Sequence, residues 1–175
     1  MINYLFLLES RFFMLCPCGS ERAFTSCCQQ YIIGDSTARS PEQLTRSRYA
    51  AYATMHANYI YNTYAASSRV SQSVADIEQW AAETKWLKLV IHMCSDFSAQ
   101  LSVTEPAQVE FSAYYLHQGQ IWQMRECSNF LYEDGRWYYL DGNVSDSDAI
   151  DKPKRNDSCF CDSNKKFKQC CAKSF

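Results

Sequence analysis

The sequence is poor in glycine and histidine, with five and three among 175 residues. So few glycines argue against loops that cradle phosphates through closely approaching backbone. The three histidines, His56, His92 and His117, have no partner that the sequence reveals, and they read as packed or solvated side chains. Long apolar runs are also missing. The most apolar stretch, MINYLFLLESRFFML over residues 1–15, is broken by Glu9 and Arg11 and falls short of the ~20 residues of a membrane span. It has neither a basic leader nor a small-residue cleavage site, so it does not read as a secretory signal. The expectation is a cytoplasmic protein, with no membrane association, whose thiols stay reduced.

Aromatic residues are plentiful: twelve Tyr, ten Phe and four Trp. They favour a sheet with an aromatic interior over a plain helical bundle. At 47% hydrophobic and 21% charged, the chain suits one filled core with small attachments. Charge is divided unevenly. Residues 151–175 hold seven Lys/Arg against three Asp/Glu, and the remainder holds ten against sixteen. A basic tail on an acidic body can contact nucleic acid or an acidic partner, or can simply keep the tail soluble.

Eight of the ten cysteines fall in two copies of one pattern, C-x-C-x8-C-C. CPCGSERAFTSCC places Cys16, Cys18, Cys27 and Cys28, and CFCDSNKKFKQCC places Cys159, Cys161, Cys170 and Cys171. Ser20 matches Ser163 and Phe24 matches Phe167. Four thiolates from a turn and a short helix can surround one ion, and tetrahedral S4 sites select Zn²⁺ or iron. In a reducing compartment this outweighs disulfides. Two zinc ions per chain are therefore expected, each supplying most of the folding energy of a module too small for its own core. A closed S4 site is structural, so no catalytic residue is assigned there. Cys94 and Cys127 read as small core residues.

Between the modules, residues 41–65 carry apolar side chains at helical spacing (Leu44, Tyr49, Tyr52, Met55, Tyr59), with Ser40 as cap and Pro41 in the first turn. This predicts one long helix, and residues 73–84 predict another. The period then changes to two. Strands are expected at 86–95, 107–117, 120–133 and 136–142, the last three joined by two-residue turns at Gln118-Gly119 and Asp134-Gly135. The polar run from Ser145 to Ser158 reads as a linker.

Two-residue turns set Phe111 opposite Glu126, Tyr115 opposite Trp122, and Phe130 opposite Tyr139, which gathers aromatics on one face. Glu126, Ser128 and Asp141 fall on that face too, with Ser128 opposite Asp141. A helix laid over a curved antiparallel sheet gives an α+β cone, and polar groups in its apolar wall suggest a pocket. Arg48 and Tyr52 from the helix join Glu126, Ser128 and Asp141 as pocket candidates. Glu126 is expected to point inward and to meet Arg48 or a tyrosine hydroxyl of the first helix.

CPCGSERAFTSCC and NDSCFCDSNKKFKQCC resemble the SEC-C motif, a small zinc-binding module. With one at each end, and with RSRYAAY and EDGRWYYLDG between them, the chain resembles the YchJ-like family of bacterial proteins over residues 14–173. The resemblance implies a body similar to the nuclear transport factor 2 (NTF2) fold and metal ligation by the eight cysteines named above. Two positions depart from the first module: Asp162 stands where Gly19 would, and Phe160 where Pro17 would. Residues 16–30 then form the first knuckle, 31–150 the NTF2-like domain, and 151–175 a linker and second knuckle. Residues 1–15 read as an N-terminal extension, with Met14 rather than Met1 as the expected start.

SEC-C modules are associated with docking, so the leading expectation is a non-catalytic interaction or adaptor protein whose knuckles meet a protein or ribosome-associated partner, with nucleic acid open to the basic tail. The alternative is an enzyme or small-molecule binder that uses Glu126 or Asp141 as acid/base or ligand-orienting group.

Overall fold

The computed structural model describes residues 14–95, 106–161 and 163–175, apart from the Ser174 side chain. Residues 1–13, 96–105 and Asp162 lie outside this set, and with them all of the expected N-terminal extension but Met14 and Leu15, and the position of the missing glycine of the second turn. No helix among the described residues is long and apolar enough to cross a membrane.

Five helices precede the sheet in the described chain: α1 (Gln29–Ile32), α2 (Pro41–Ala53), α3 (Ala57–Asn62), α4 (Ala66–Arg69) and α5 (Val74–Glu83). Helix α2 starts where its cap dictates, with Ser40 Oγ accepting from Gln43 N at 3.2 Å and Pro41 in the first turn. The single helix expected over residues 41–65 is in fact two. Thr54 Oγ1 donates back to the Ala50 carbonyl at 2.7 Å, and Met55 follows in the left-handed conformation at φ 59°, which ends α2 and redirects the chain into α3. Helix α5 begins as expected after Ser73, whose hydroxyl accepts from Asp76 N.

The four strands β1 (Thr84–Cys94), β2 (Ala107–His117), β3 (Gln120–Glu133) and β4 (Arg136–Ile150) form one antiparallel meander in sequence order. Both hairpin turns have two consecutive residues at positive φ: Gln118 and Gly119 at 49° and 80°, Asp134 and Gly135 at 49° and 79°. That conformation matches strand twist and fixes the registers. Phe111 faces Glu126, Tyr115 faces Trp122, and Phe130 faces Tyr139, as expected.

Strand β4 departs from expectation in two ways. It continues to Ile150, which pairs with Ile121, so the first part of the supposed linker from Ser145 is ladder. Asp141 to Ala149 are all exposed, and a backbone ladder forms there without apolar side chains to announce it in the sequence. The second departure is a bulge at Leu140. Pairing steps from Phe130↔Tyr139 to Asn129↔Asp141, so Ser128 faces Gly142 instead of Asp141. Tyr139 is held there from the helical layer, its N–H donating to Thr63 O at 2.8 Å and its carbonyl accepting from Ala65 N at 2.7 Å.

The concave side of the sheet packs on α2. Leu44 meets Val109, Phe130 and Trp137, and Tyr49 meets Leu89 and Ala113. Ala51, Ala57, Ile60 and Ile77 join α2, α3 and α5. This is the α+β, NTF2-like cone. The cysteine modules occupy its outside. The first packs Phe24 and its thiols against Ala50 and Ile32, while Arg46 donates to the Cys18 carbonyl at 2.9 Å and pairs with Glu42 at 2.7 Å. The second lies on the convex face of the sheet, where Tyr114, 1% exposed, meets Cys159, Cys161, Phe167 and Cys171, with Leu87, Val90 and Ile150 around them. Phe160, the residue in place of Pro17, stacks its ring 5.4 Å from Tyr114. The departure from the first module's sequence thus serves docking onto the sheet. Cys94 and Cys127 do not enter the core as expected: Cys94 is exposed and Cys127 half-buried.

Candidate metal centres and the cone cavity

The two modules repeat one local structure at an offset that maps Cys16 onto Cys159. Cys16 N donates to Arg22 O and Cys159 N to Lys165 O, at 2.8 and 2.9 Å. Bridges join Leu15 to Ala23 and Ser158 to Lys166. Glu21 and Asn164 take φ 61° and 56°, and one 3₁₀ turn follows at Phe24–Ser26 and Phe167–Gln169. These turns aim four sulfurs at one point. In each tetrad all Sγ atoms lie within 4.8 Å of one another.

The edges are tetrahedral in length. Cys18–Cys27 and Cys27–Cys28 measure 3.7 and 3.9 Å; Cys159–Cys161, Cys161–Cys170 and Cys170–Cys171 measure 3.5, 3.5 and 3.9 Å. A Zn–S bond of ~2.3 Å in tetrahedral geometry requires edges of about 3.8 Å. A disulfide would bring two sulfurs to ~2.05 Å, and all ten cysteines are free. Outer hydrogen bonds repeat as well, from Ser20 Oγ to Cys27 and Ser163 Oγ to Cys170, both 3.2 Å, and Arg22 Nη2 donates to Cys27 at 3.3 Å.

Within each tetrad the thiols are driven apart in acidity. Cys161 is lowered to about 4, chiefly by its hydrogen bond with Cys171, and Cys171 is raised mainly by its bond with Cys161. Cys18 is lowered chiefly through Cys16, which is itself raised to about 11, and Cys28 is raised chiefly through Cys16. Four clustered sulfurs cannot all ionise against their mutual repulsion unless a cation sits among them. The donor set therefore fits a metal ion with four thiolate ligands and no open position.

The cone holds a cavity of about 190 Å³ bounded by α2, α5, the Tyr64 segment and all four strands. Of the sequence-named candidates, Arg48, Tyr52, Glu126 and Ser128 line it, and Asp141 does not. The Leu140 bulge turns Asp141 outward, where its carboxylate accepts from Asn129 Nδ2 at 2.6 Å. Glu126 points inward, 8% exposed, but its partners differ from those expected. Oε1 accepts from Ser128 Oγ at 2.6 Å and from the Tyr139 hydroxyl at 2.9 Å, and Tyr139 belongs to β4, not to the first helix.

Arg48 forms no ion pair with Glu126. Its Nη1 donates to the Ile60 carbonyl and Thr63 Oγ1, both at 2.8 Å, and its guanidinium lies 4.3 and 4.6 Å from the ring centres of Tyr64 and Tyr139. The break after α2 creates this arrangement, because α3 ends with the carbonyl and hydroxyl that hold Arg48. Burial pushes the Tyr52 and Tyr139 phenols upward, so both stay neutral donors near pH 7. Tyr52, Trp80, Trp86 and Tyr115 form an aromatic end, with ring centres 5.1 to 5.7 Å apart along the chain of contacts.

A family model described as YchJ, middle NTF2-like domain, matches residues 40–142, and the SEC-C motif matches residues 155–173. The chain belongs to the YchJ-like family. A UPF0225 protein of Shewanella sp. (strain MR-4) is 38% identical over 162 residues, spanning 90% of this chain and 96% of that protein. One from Vibrio vulnificus (strain YJ016) is 35% identical, over 89% and 97%. Among solved structures, a SEC-C motif containing protein from Rhodopseudomonas palustris superposes with TM-score 0.67 at 32% identity, covering 76% of this chain and all of that one. Another, from Psychrobacter arcticus, gives 0.64 at 28% identity, over 93% and 97%. In this YchJ-like chain both cysteine tetrads could hold metal, and the first, outside the matched residues 155–173, has the same local structure as the second.

Gly142 is the site residue that the sequence reading passed over. It faces Ser128 across the ladder, and a Cβ added to it would stand 2.1 Å from Glu126 Oε1 and 2.8 Å from the Tyr139 hydroxyl. The Glu126 carboxylate occupies the space that a side chain would fill. A lone glycine inside a strand pattern was the available signal for such an approach.

Proposed function

We propose that the protein binds two structural zinc ions and acts in the cytoplasm as a non-catalytic interaction protein, docking through its knuckles on an anionic macromolecular partner such as an acidic protein or a ribosome-associated surface. The observation that carries this reading is the outer surface of the second knuckle. Lys152, Lys154, Arg155, Lys165, Lys166, Lys168 and Lys173 are all exposed on the segment whose thiols are turned inward. A zinc tetrathiolate carries two negative charges, and these cations outnumber them together with the tail's carboxylates. The closed tetrads have no ligand position for a substrate, which supports a structural role for the metal. Among the described residues no lining residue of the cone is a histidine, cysteine or lysine, and Glu126 already accepts two hydrogen bonds. This favours binding over acid/base chemistry in the cone.

The test is a native pull-down from cells with the wild-type chain, the chain treated with chelator, and the Lys165→Glu/Lys166→Glu/Lys168→Glu variant. The expected result is one partner set lost under both treatments, while the variant retains its zinc. Partners retained through both would remove the knuckles as the docking surface.

A further inference from the structure

The cavity of the cone has a charge pattern that a docking function does not use. Arg48 and Glu126 are 7% and 8% exposed, of opposite charge, and both line the cavity. They are not paired with each other. The described ion pairs are Arg46–Glu42 and Arg125–Glu110. Each is held by one half of its polar group. Arg48 is fixed through Nη1, which leaves Nε and Nη2 without a protein acceptor among the described residues, and Glu126 is fixed through Oε1, which leaves Oε2 without a described donor. These atoms are not among the buried unpartnered polar atoms of the described residues, so they keep accessible surface in the cavity, where a ligand can replace water as their hydrogen-bond partner. Gly142 is open to the same purpose, since its missing side chain is what admits the carboxylate.

We infer that the cone binds a neutral, planar, single-ring heterocycle carrying an N–H donor beside a carbonyl acceptor, the cyclic amide or imide class. The donor meets Glu126 Oε2 and the acceptor meets the free guanidinium N–H groups of Arg48. Neutrality follows from the lining, where among the described residues one cation and one anion are the only charges and every other side chain is uncharged. A simple cation would meet Arg48, and a simple anion would meet Glu126. Planarity follows from the walls, since Tyr52, Trp80, Trp86 and Tyr115 offer aromatic faces and edges to a flat ring. Size follows from volume. A cavity of 150 Å³ accommodates benzene, so about 190 Å³ accommodates one ring with small substituents.

Uracil and 2-pyridone serve as probes, with toluene, tetramethylammonium and benzoate as comparisons, read by saturation-transfer NMR and tryptophan fluorescence on the full zinc-loaded chain. The heterocycles should bind at least about tenfold more tightly than the other three. Glu126→Gln turns the free oxygen into an amide that presents N–H to N–H, and it should weaken the heterocycles about tenfold while leaving toluene unchanged. Ala113→Leu pushes into the cavity from its wall and should abolish binding of every probe while the chain keeps a native circular-dichroism spectrum and both zinc ions, so a folding defect in Glu126→Gln leaves the inference testable. Toluene binding as well as the heterocycles would reduce the cavity to an apolar void. Preference for either ion, heterocycle binding indifferent to Ala113→Leu, or no binding at all would overturn the assignment.

Discussion

Cys161→Ser should release one metal ion and also destabilise the cone, by about 3–5 kcal/mol in urea unfolding. A knuckle hung on a free linker could be lost while the body melted as before, and the polar run after Ser145 suggested such a tether. The structure replaces that picture. Strand β4 runs to Ile150, and the knuckle lies directly on the sheet, where Tyr114 is 1% exposed beneath Phe160, Phe167 and the thiols. Loss of the ion removes the geometry that holds Phe160 and Phe167 in place, and Tyr114, Leu87 and Val90 then face water. Phe160→Ala separates the two contributions, since it should keep both ions yet lose about 2–3 kcal/mol of the docking energy. Unfolding of Cys161→Ser that coincides with wild type would restore the tether.

Gly142→Ala should cost about 1–3 kcal/mol, although it adds a single methyl group. Gly142 does not need positive φ, so the backbone tolerates alanine and the cost is steric. The new Cβ would lie 2.1 Å from Glu126 Oε1 and 2.6 Å from its Cδ. The carboxylate must leave, and its bonds to Ser128 and Tyr139 go with it. Glu126→Ser empties that space. The double variant Gly142→Ala/Glu126→Ser should therefore lose much less than the sum of the two single losses, the Tyr139 hydroxyl at 2.8 Å being the one close contact left to relieve. Additive losses in the cycle would show that the two residues do not contend for one volume.

Much of this molecule is legible in its sequence where one local rule acts alone. The cysteine spacing marks both tetrads, Ser40 and Ser73 mark helix starts, and the Gln118-Gly119 and Asp134-Gly135 turns set the registers that point Glu126 inward. The errors occur where tertiary contacts decide. Whether Pro41 to Ala65 holds one helix or two depends on Thr54 and on a left-handed Met55, which periodicity does not register. Asp141 was placed inside because strict alternation was carried past Tyr139. The helical layer grips the backbone of Tyr139 at Thr63 and Ala65, Leu140 bulges, and the side chains from Asp141 to Val144 change face until a second register shift before Asp146 restores the alternation. Arg48 was expected to seek the carboxylate, but the end of α3 supplies a carbonyl and a hydroxyl that hold it first. Phe160, noted only as a departure from the first module, proves to be the contact that seats the second knuckle on the sheet.

The account rests on two metal ions fixing two knuckles to the outside of one cone, and native mass spectrometry of the purified chain tests it most directly. The expected spectrum is a single folded species heavier than the chain by two zinc ions, both removed by chelator at low charge state. A chain carrying one ion or none, and lighter by the hydrogens lost to disulfides among Cys16, Cys18, Cys27, Cys28, Cys159, Cys161, Cys170 and Cys171, would contradict it.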